Sequence, residues 1–209
     1  AFLSNRKLSG SKGITLNMIL SVLKSFFKYF LDTGQIKSNP TILIPQFREE
    51  AATVVGFKPD EAKDLLKASY DNPYSLYWTP MILLGWHYGM RLGDAASFKR
   101  SFVNWDTNQI KFIPMKKRRR EIILPLVPDV SIALKRVPND DGEYFFPLGK
   151  DRYYFRGSLS QEFKGIVKEA GLSKTLTFHC LRHGAATRML KAGVRTTTIT
   201  EIIGWENPA

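Results

Sequence analysis

The chain has 209 residues, with 31 Lys+Arg against 19 Asp+Glu, a formal charge of +12 at pH 7. With 44% hydrophobic and 12% aromatic residues it can fill a core, which excludes wholesale disorder. One cysteine, Cys180, excludes a disulfide framework and a cysteine-based zinc site, and fits a reducing cytoplasm.

No secretory signal is visible, and a chain that opens on Ala1 is expected to be a fragment, a processed chain or part of a longer one. The excess of cations asks for a polyanionic partner, most simply nucleic acid, although solubilising lysines would give the same sum. Net charge is +4 over residues 1–50 and +8 over 51–209, as two parts touching one long polyanion would need.

Along the chain, Leu16, Ile19, Leu20, Leu23, Phe26, Phe27, Phe30 and Leu31 recur at spacings of three and four, predicting an amphipathic helix over 14–33 that Gly34 stops. Asn39-Pro40 then forces an extended turn. Residues 1–48 are expected to form a partial helical module and 49–56 a linker, with a second domain over 57–209. That domain opens on Lys58-Pro59-Asp60-Glu61, a helix start whose early acids suit the positive end of the dipole; the helix runs to about residue 70.

The charge-free run 72–90 contains Asn, Ser, Thr, His and Pro80, so it fits a buried helix over 76–89 better than a membrane span, and no membrane association is expected. A short helix begins at Gly93. Phe102-Val103, 110–113 and 121–126 have β character, separated by a turn at Asp106-Thr107-Asn108 and a basic turn. Helices are predicted over 128–136, over 158–170 and from near His179. The expected fold class is mainly α with a small antiparallel β-sheet (α+β).

Three segments could carry chemistry. In Gly89-Met90-Arg91-Leu92-Gly93-Asp94, Arg91 ends an apolar helix; its planar fork fits phosphate oxygens, and Asp94 lies where it could hold that fork. An ordinary Arg–Asp surface pair gives the same pattern. Lys116-Lys117-Arg118-Arg119-Arg120 is a solvated turn or a phosphate contact, or one of its lysines is a proton donor with a lowered pKa. In Phe178-His179-Cys180-Leu181-Arg182-His183, an imidazole and a guanidinium three residues apart share a face at a helix start. His183 reads rather as a hydrogen-bonded core histidine. No metal site is expected, because His179 and His183 have no third ligand nearby and there is no acidic HExxH pattern. Two arginines, a lysine and a histidine suggest phosphoryl transfer without a metal. No glycine-rich phosphate loop argues for a nucleotide-triphosphate enzyme.

These pieces, in this order, resemble the tyrosine recombinase (phage integrase) family over about 14–209. They are a helix followed by Gly34-x-Ile36-x-x-Asn39-Pro40, then the Gly89–Asp94 segment, then a hairpin with lysine ahead of Ile123-Leu124-Pro125-Leu126. His179-Cys180-Leu181-Arg182-His183 and Ile202-Ile203-Gly204-Trp205 complete the set.

The resemblance implies a DNA breaking-rejoining catalytic domain after a partial core-binding domain. The implied activity is a site-specific recombinase or integrase working through a 3′-phosphotyrosyl intermediate, without ATP, metal or cofactor. Arg91 and Arg182 would clamp the scissile phosphate. Lys117 would protonate the 5′-hydroxyl, with Lys116 the alternative if the hairpin register differs by one. His179 would serve as acid/base, and Trp205 would stand where many relatives have histidine. Asp94 and His183 would support, and Lys116, Arg118, Arg119 and Arg120 would contact DNA. The implied partners are double-stranded DNA and other protomers in a tetrameric synapse; the implied location is the cytoplasm, nucleoid-associated in a prokaryote. The family's nucleophilic tyrosine would fall shortly after Trp205, past Ala209, and Tyr88, Tyr144, Tyr153 and Tyr154 lie in the wrong segments to replace it. A type IB topoisomerase, which uses a similar residue set, and a non-cleaving DNA-binding fragment are the alternatives; an RNA-binding protein fits less well.

Overall fold

The computed structural model describes residues 2–48, 55–113, 121–139, 142–146 and 157–204. Its contacts divide the chain into two units, Ala1–Thr53 and Val54–Ala209.

The first unit is built on α1 (Phe2–Leu8) and α2 (Gly13–Asp32). Leu3 of α1 packs with Leu16 and Leu20 of α2, and Ile19, Leu23, Ile44 and Phe47 close around them. Gly34 ends α2 in the left-handed conformation at φ 73°. The Gly34 and Gln35 N–H groups donate back to Leu31 O and Phe30 O, a Schellman end that satisfies otherwise orphaned carbonyls. The chain then returns along the helix. Asn39 Oδ1 accepts from the N–H and hydroxyl of Thr41 at 2.9 and 2.7 Å, and Asn17 exchanges hydrogen bonds of 2.8 and 3.0 Å with the Phe47 backbone.

Two features depart from expectation. Helix α1 was not predicted, because seven residues hold too little periodicity to register. The apolar face of α2 is covered only along its first half, and Phe26 is 53% exposed beside exposed Met18, Val22 and Tyr29. By length and composition α2 is also the one helix, among the described residues, apolar enough to cross a membrane; Lys24 on it donates to Ile44 O at 3.0 Å.

The second unit is organised around α4 (Ser75–Tyr88), whose residues from Trp78 to Gly85 are all buried, so the helix has no solvent stripe. Around it stand α3 (Pro59–Tyr70), α5 (Leu92–Ala96), α6 (Pro128–Lys135) and α8 (Phe178–Lys191). Helix α3 starts where predicted, with the Glu61 carboxylate accepting from Lys58 N–H at 2.8 Å. Helix α7 (Ser158–Glu169) packs on α3, and α9 (Thr196–Ile203) packs on α8.

The three strands β1 (Val103–Asn104), β2 (Gln109–Phe112) and β3 (Ile122–Pro125) form an antiparallel sheet in that order, with Ile110 opposite both Val103 and Leu124. Alternation along β2 buries Ile110 and Phe112 and leaves Gln109 and Lys111 outside. The fold is therefore mainly helical with a small antiparallel sheet. Helix α9 was not predicted. Four of its eight residues are threonines, poor helix formers, and burial of Ile199 and Ile203 against Ala186 holds it in place.

Candidate active site

Three local structures converge on one point of the second unit. Gly89 ends α4 in the left-handed conformation (φ 63°), its N–H donating to Gly85 O at 3.1 Å. A Cβ at Gly89 would lie 3.2 Å from Ile203 Cγ1, so chain direction and close packing both require glycine. Helix α8 brings Arg182 to the same place, 2% exposed. Its Nη1 donates to Gly89 O at 2.7 Å and its Nη2 to Ile203 O, the last carbonyl of α9. Burial, and secondarily the charge of Arg91, lowers the Arg182 pKa to about 10, while Asp94 pulls the other way. The guanidinium still carries its charge at neutral pH.

Arg91 is the residue before α5, with extended backbone, and its Nη2 donates to Gly204 O at 3.3 Å. The side chain of the expected partner, Asp94, is 7% exposed, with Oδ2 at 3.8 Å from Arg91 Nη1. That is a charge contact rather than a hydrogen bond. The two arginines thus sit on consecutive carbonyls at the negative end of α9. Arg91 Nη1 and Arg182 Nε are buried and find no hydrogen-bond acceptor among the described residues. Two cations with donors left over form a ready site for an oxyanion.

His179 lies exposed in the first turn of α8, and the partly buried His183 meets it edge to face with ring centroids 4.6 Å apart. Burial, then the positive charge of Arg182, pushes the His183 pKa below its ordinary 6.5, so this imidazole is neutral at pH 7. Among the described residues no group of three or more His, Cys, Asp or Glu side chains could hold a metal ion. Lys116, Lys117, Arg118, Arg119 and Arg120, which follow β2 and precede β3 in sequence, and Trp205, which follows α9, lie outside the described residues.

Sequence reasoning missed several supporting groups. Tyr88 is buried, and its hydroxyl donates to Pro125 O at 3.0 Å and accepts from Val127 N–H at 2.9 Å. Burial raises its pKa, so it stays a phenol. Arg188 stacks on Trp86, its guanidinium carbon 3.2 Å from the ring centre, and donates to Trp86 O. Gly184 lets α8 approach the backbone of Phe57, where an added Cβ would meet Phe57 O at 2.9 Å. The glycine between Ile203 and Trp205 was a visible signal; the tyrosine and the arginine–tryptophan stack carried none.

Comparison with known proteins assigns the chain to a class. Residues 56–209 match the model of the Phage integrase family, and the chain belongs to that family. It is 24% identical over 214 residues to the tyrosine recombinase XerD of Listeria monocytogenes serotype 4b, covering 97% of this chain and 71% of that one. It is 26% identical over 213 residues to the tyrosine recombinase XerC of Mannheimia succiniciproducens, covering 98% and 71%. Among solved structures it is similar in fold to a lambda integrase (75–356) dimer bound to a COC′ core site, with TM-score 0.76 and 19% identity over 98% of this chain and 77% of that one. It is likewise similar to a lambda integrase tetramer bound to a Holliday junction, with TM-score 0.77, 20% identity, and coverage of 98% and 62%.

Proposed function

We propose that this chain, a site-specific tyrosine recombinase of the integrase kind acting on DNA, cuts and rejoins strands through a 3′-phosphotyrosyl intermediate, using neither ATP nor a metal. The observation that carries the reading is the convergence of Arg91 and Arg182 on one point, each with a buried N–H that finds no acceptor among the described residues.

In the forward step a tyrosine oxygen attacks the phosphorus and the P–O5′ bond breaks. Arg91 and Arg182 neutralise the charge that builds on the non-bridging oxygens. His179 takes the phenol proton, and Lys117, or Lys116 in the other register, gives a proton to the departing 5′-oxygen. The products are a 3′-phosphotyrosine and a 5′-hydroxyl. Attack by a 5′-hydroxyl reverses each transfer, so the phosphodiester energy is conserved and no nucleotide is consumed. Trp205 supports the site through its indole N–H, and Arg118, Arg119 and Arg120 contact the DNA backbone. The attacking tyrosine is expected shortly after Trp205, past Ala209. Residues 1–48 act as part of a core-binding domain, and copies of the protein assemble as four on two duplexes; the lambda integrase tetramer on a Holliday junction is the supporting parallel.

The test is covalent trapping of the full-length protein on a nicked duplex containing its recombination site. A protein–DNA adduct that survives detergent is expected, and Arg182→Ala should abolish it. Normal recombination by Arg182→Ala would overturn the assignment, and relaxation of supercoiled DNA without any site requirement would favour a topoisomerase.

A further inference from the structure

Two arginines of α8 donate to carbonyls at the end of α4. Arg182 Nη1 donates to Gly89 O at 2.7 Å, and Arg188 Nη2 donates to Trp86 O. Arg188 also stacks on the Trp86 ring, its guanidinium carbon 3.2 Å from the ring centre. Gly184, four residues earlier and on the same face of α8, lies against the edge of that ring, its Cβ position 3.5 Å from Trp86 Cζ3. The indole therefore touches α8 at two successive turns. Burial lowers the Arg188 pKa to about 10, so the guanidinium is charged at neutral pH. Its Nη1 is buried and finds no acceptor among the described residues. A buried cation with a donor left over is costly, and packing alone would be served as well by an apolar side chain.

Apolar contacts also hold α8 on α4. Phe178 and Leu181 lie against Gly85, where an added Cβ would meet Phe178 Cζ at 2.9 Å and Leu181 Cδ1 at 3.1 Å. They set the spacing of the two helices, but apolar contact is non-directional, whereas a guanidinium bonded to a carbonyl fixes a direction. Arg182 and Arg188 stand about 9 Å apart along α8 and about 240° apart around it. Two such bonds to the end of one helix fix the rotation of α8 as well as its position.

We infer that Arg188 is a positioning residue that, through Trp86, sets the rotation of α8 and so holds the Arg182 guanidinium on Gly89 O beside Arg91. The inference rests on the reading of Arg91 and Arg182 as the clamp on the scissile phosphate. Arg188 touches no reacting atom in this scheme. Its loss should leave Arg182 charged but misplaced, slowing cleavage without weakening DNA binding.

The experiment uses full-length protein and two nicked duplexes that differ only at the scissile phosphorus. One carries the natural phosphate, the other a methylphosphonate in which methyl replaces one non-bridging oxygen. In both, the tyrosine oxygen bonds to phosphorus and the P–O5′ bond breaks. The methylphosphonate has no negative charge, so its transition state asks less of the arginine pair. Arg188→Met keeps an apolar stem and removes the plane, the charge and the donor. It is expected to slow single-turnover cleavage of the phosphate about tenfold, within what a misplacement of about 1 Å costs, and to bind the duplex as tightly as before. On the methylphosphonate its rate should match that of the unsubstituted protein. Arg188→Lys, which keeps charge and stem but not the planar fork, should show the same selectivity if Arg188→Met fails to fold.

Equal loss on both substrates, or no loss on the phosphate, would overturn the inference. Weaker binding with a salt slope lowered by about 0.9 would overturn it too, because Arg188 would then be a DNA phosphate contact. Arg91→Ala separates its failure from that of the reading beneath it. If the methylphosphonate rescues Arg91→Ala but not Arg188→Met, only the role of Arg188 falls. If it does not rescue Arg91→Ala, the phosphate-clamp reading falls and the inference with it.

Discussion

Arg91 and Arg182 donate to neighbouring backbone carbonyls, Gly204 and Ile203, at the C-terminal end of α9. Like charges that close repel, and the Arg182 pKa, lowered to about 10 first by burial, is lowered further by the charge of Arg91. The carbonyl end of the helix offsets part of that repulsion, while a buried donor on each side chain finds no acceptor among the described residues. On the proposed reading the charge is arranged in advance for the scissile phosphate, the usual form of electrostatic preorganisation.

The two arginines should therefore differ in what their loss does to the fold. Arg182 is 2% exposed and satisfies carbonyls from two elements, so Arg182→Ala leaves a cavity and two unpaired acceptors. A loss of about 2–4 kcal/mol in denaturant unfolding is expected. Arg91 makes one longer bond and retains contact with solvent, so Arg91→Ala should cost about 1 kcal/mol or less. Both variants should lose strand cleavage. Equal destabilisation by the two would show that Arg182 does not bridge the elements as described.

The second expectation concerns pH. The folded-state pKa of His183 lies below its ordinary 6.5, from burial first and from Arg182 second. That of His87 is lowered mainly by burial, with Asp129 opposing and Arg188 reinforcing. Between the depressed folded value and 6.5 the unfolded chain binds more protons, so stability is complete above 6.5 and falls as pH drops through that window. Urea midpoints at pH 7.5 and at about pH 5.5 should fall on acidification, and His183→Gln should reduce the fall relative to the unsubstituted protein. An unchanged difference between the two pH values in that variant would remove His183 as a contributor.

Much of this arrangement was legible before any coordinates. The start of α3 at Pro59, the buried run that became α4 and the hairpin across residues 109–125 all follow from local signals: a capping acid, an unbroken apolar stretch, a period-two alternation. Arg91, Arg182, His179 and His183 were visible as chemistry-bearing residues at short spacings, and the structure brings them to one end of α8 and α4. The invisible part was tertiary. Nothing local says that the carbonyls of Gly89, Ile203 and Gly204 receive the guanidiniums, because a backbone acceptor is the same in every residue. Helix α9 was hidden by its threonines, and the Arg91–Asp94 pairing read from a three-residue spacing proved a 3.8 Å contact.

Close approach of two backbones supplies a third test. Gly56 and Gly184 pack so tightly that a Cβ on Gly56 would lie 2.8 Å from Gly184 N, and one on Gly184 would lie 2.9 Å from Phe57 O. Both neighbours are main-chain atoms, which cannot swing aside. Gly56→Ala and Gly184→Ala should each destabilise by about 1–3 kcal/mol, the usual cost of overpacking. Because both changes act on one contact, the double variant should cost less than the two single effects combined. Helix α8 carries Arg182, so cleavage should fall with Gly184→Ala even at temperatures where the variant is folded. A Gly184→Ala protein of unchanged denaturant midpoint would contradict the packing.

The last expectation separates phosphate contacts from chemistry within the basic turn. Lys or Arg side chains that neutralise DNA phosphates release counterions, so the logarithm of affinity falls by about 0.9 per contact for each unit of log salt. Arg118→Ala, Arg119→Ala and Arg120→Ala, if those residues contact the backbone, should each weaken binding on specific and unrelated duplexes alike and lower the salt slope by about 0.9. A lysine that serves as proton donor, as proposed, should behave differently, because its partner would be the leaving oxygen rather than a non-bridging phosphate oxygen. Its alanine variant should keep most of the binding affinity and lose cleavage. Filter binding across a salt series, read beside single-turnover cleavage on the same variants, distinguishes the two roles at each of the five positions. A cluster in which all five variants lost slope and none lost cleavage would assign the whole turn to the DNA backbone, and the proton donor would then have to lie elsewhere in the chain.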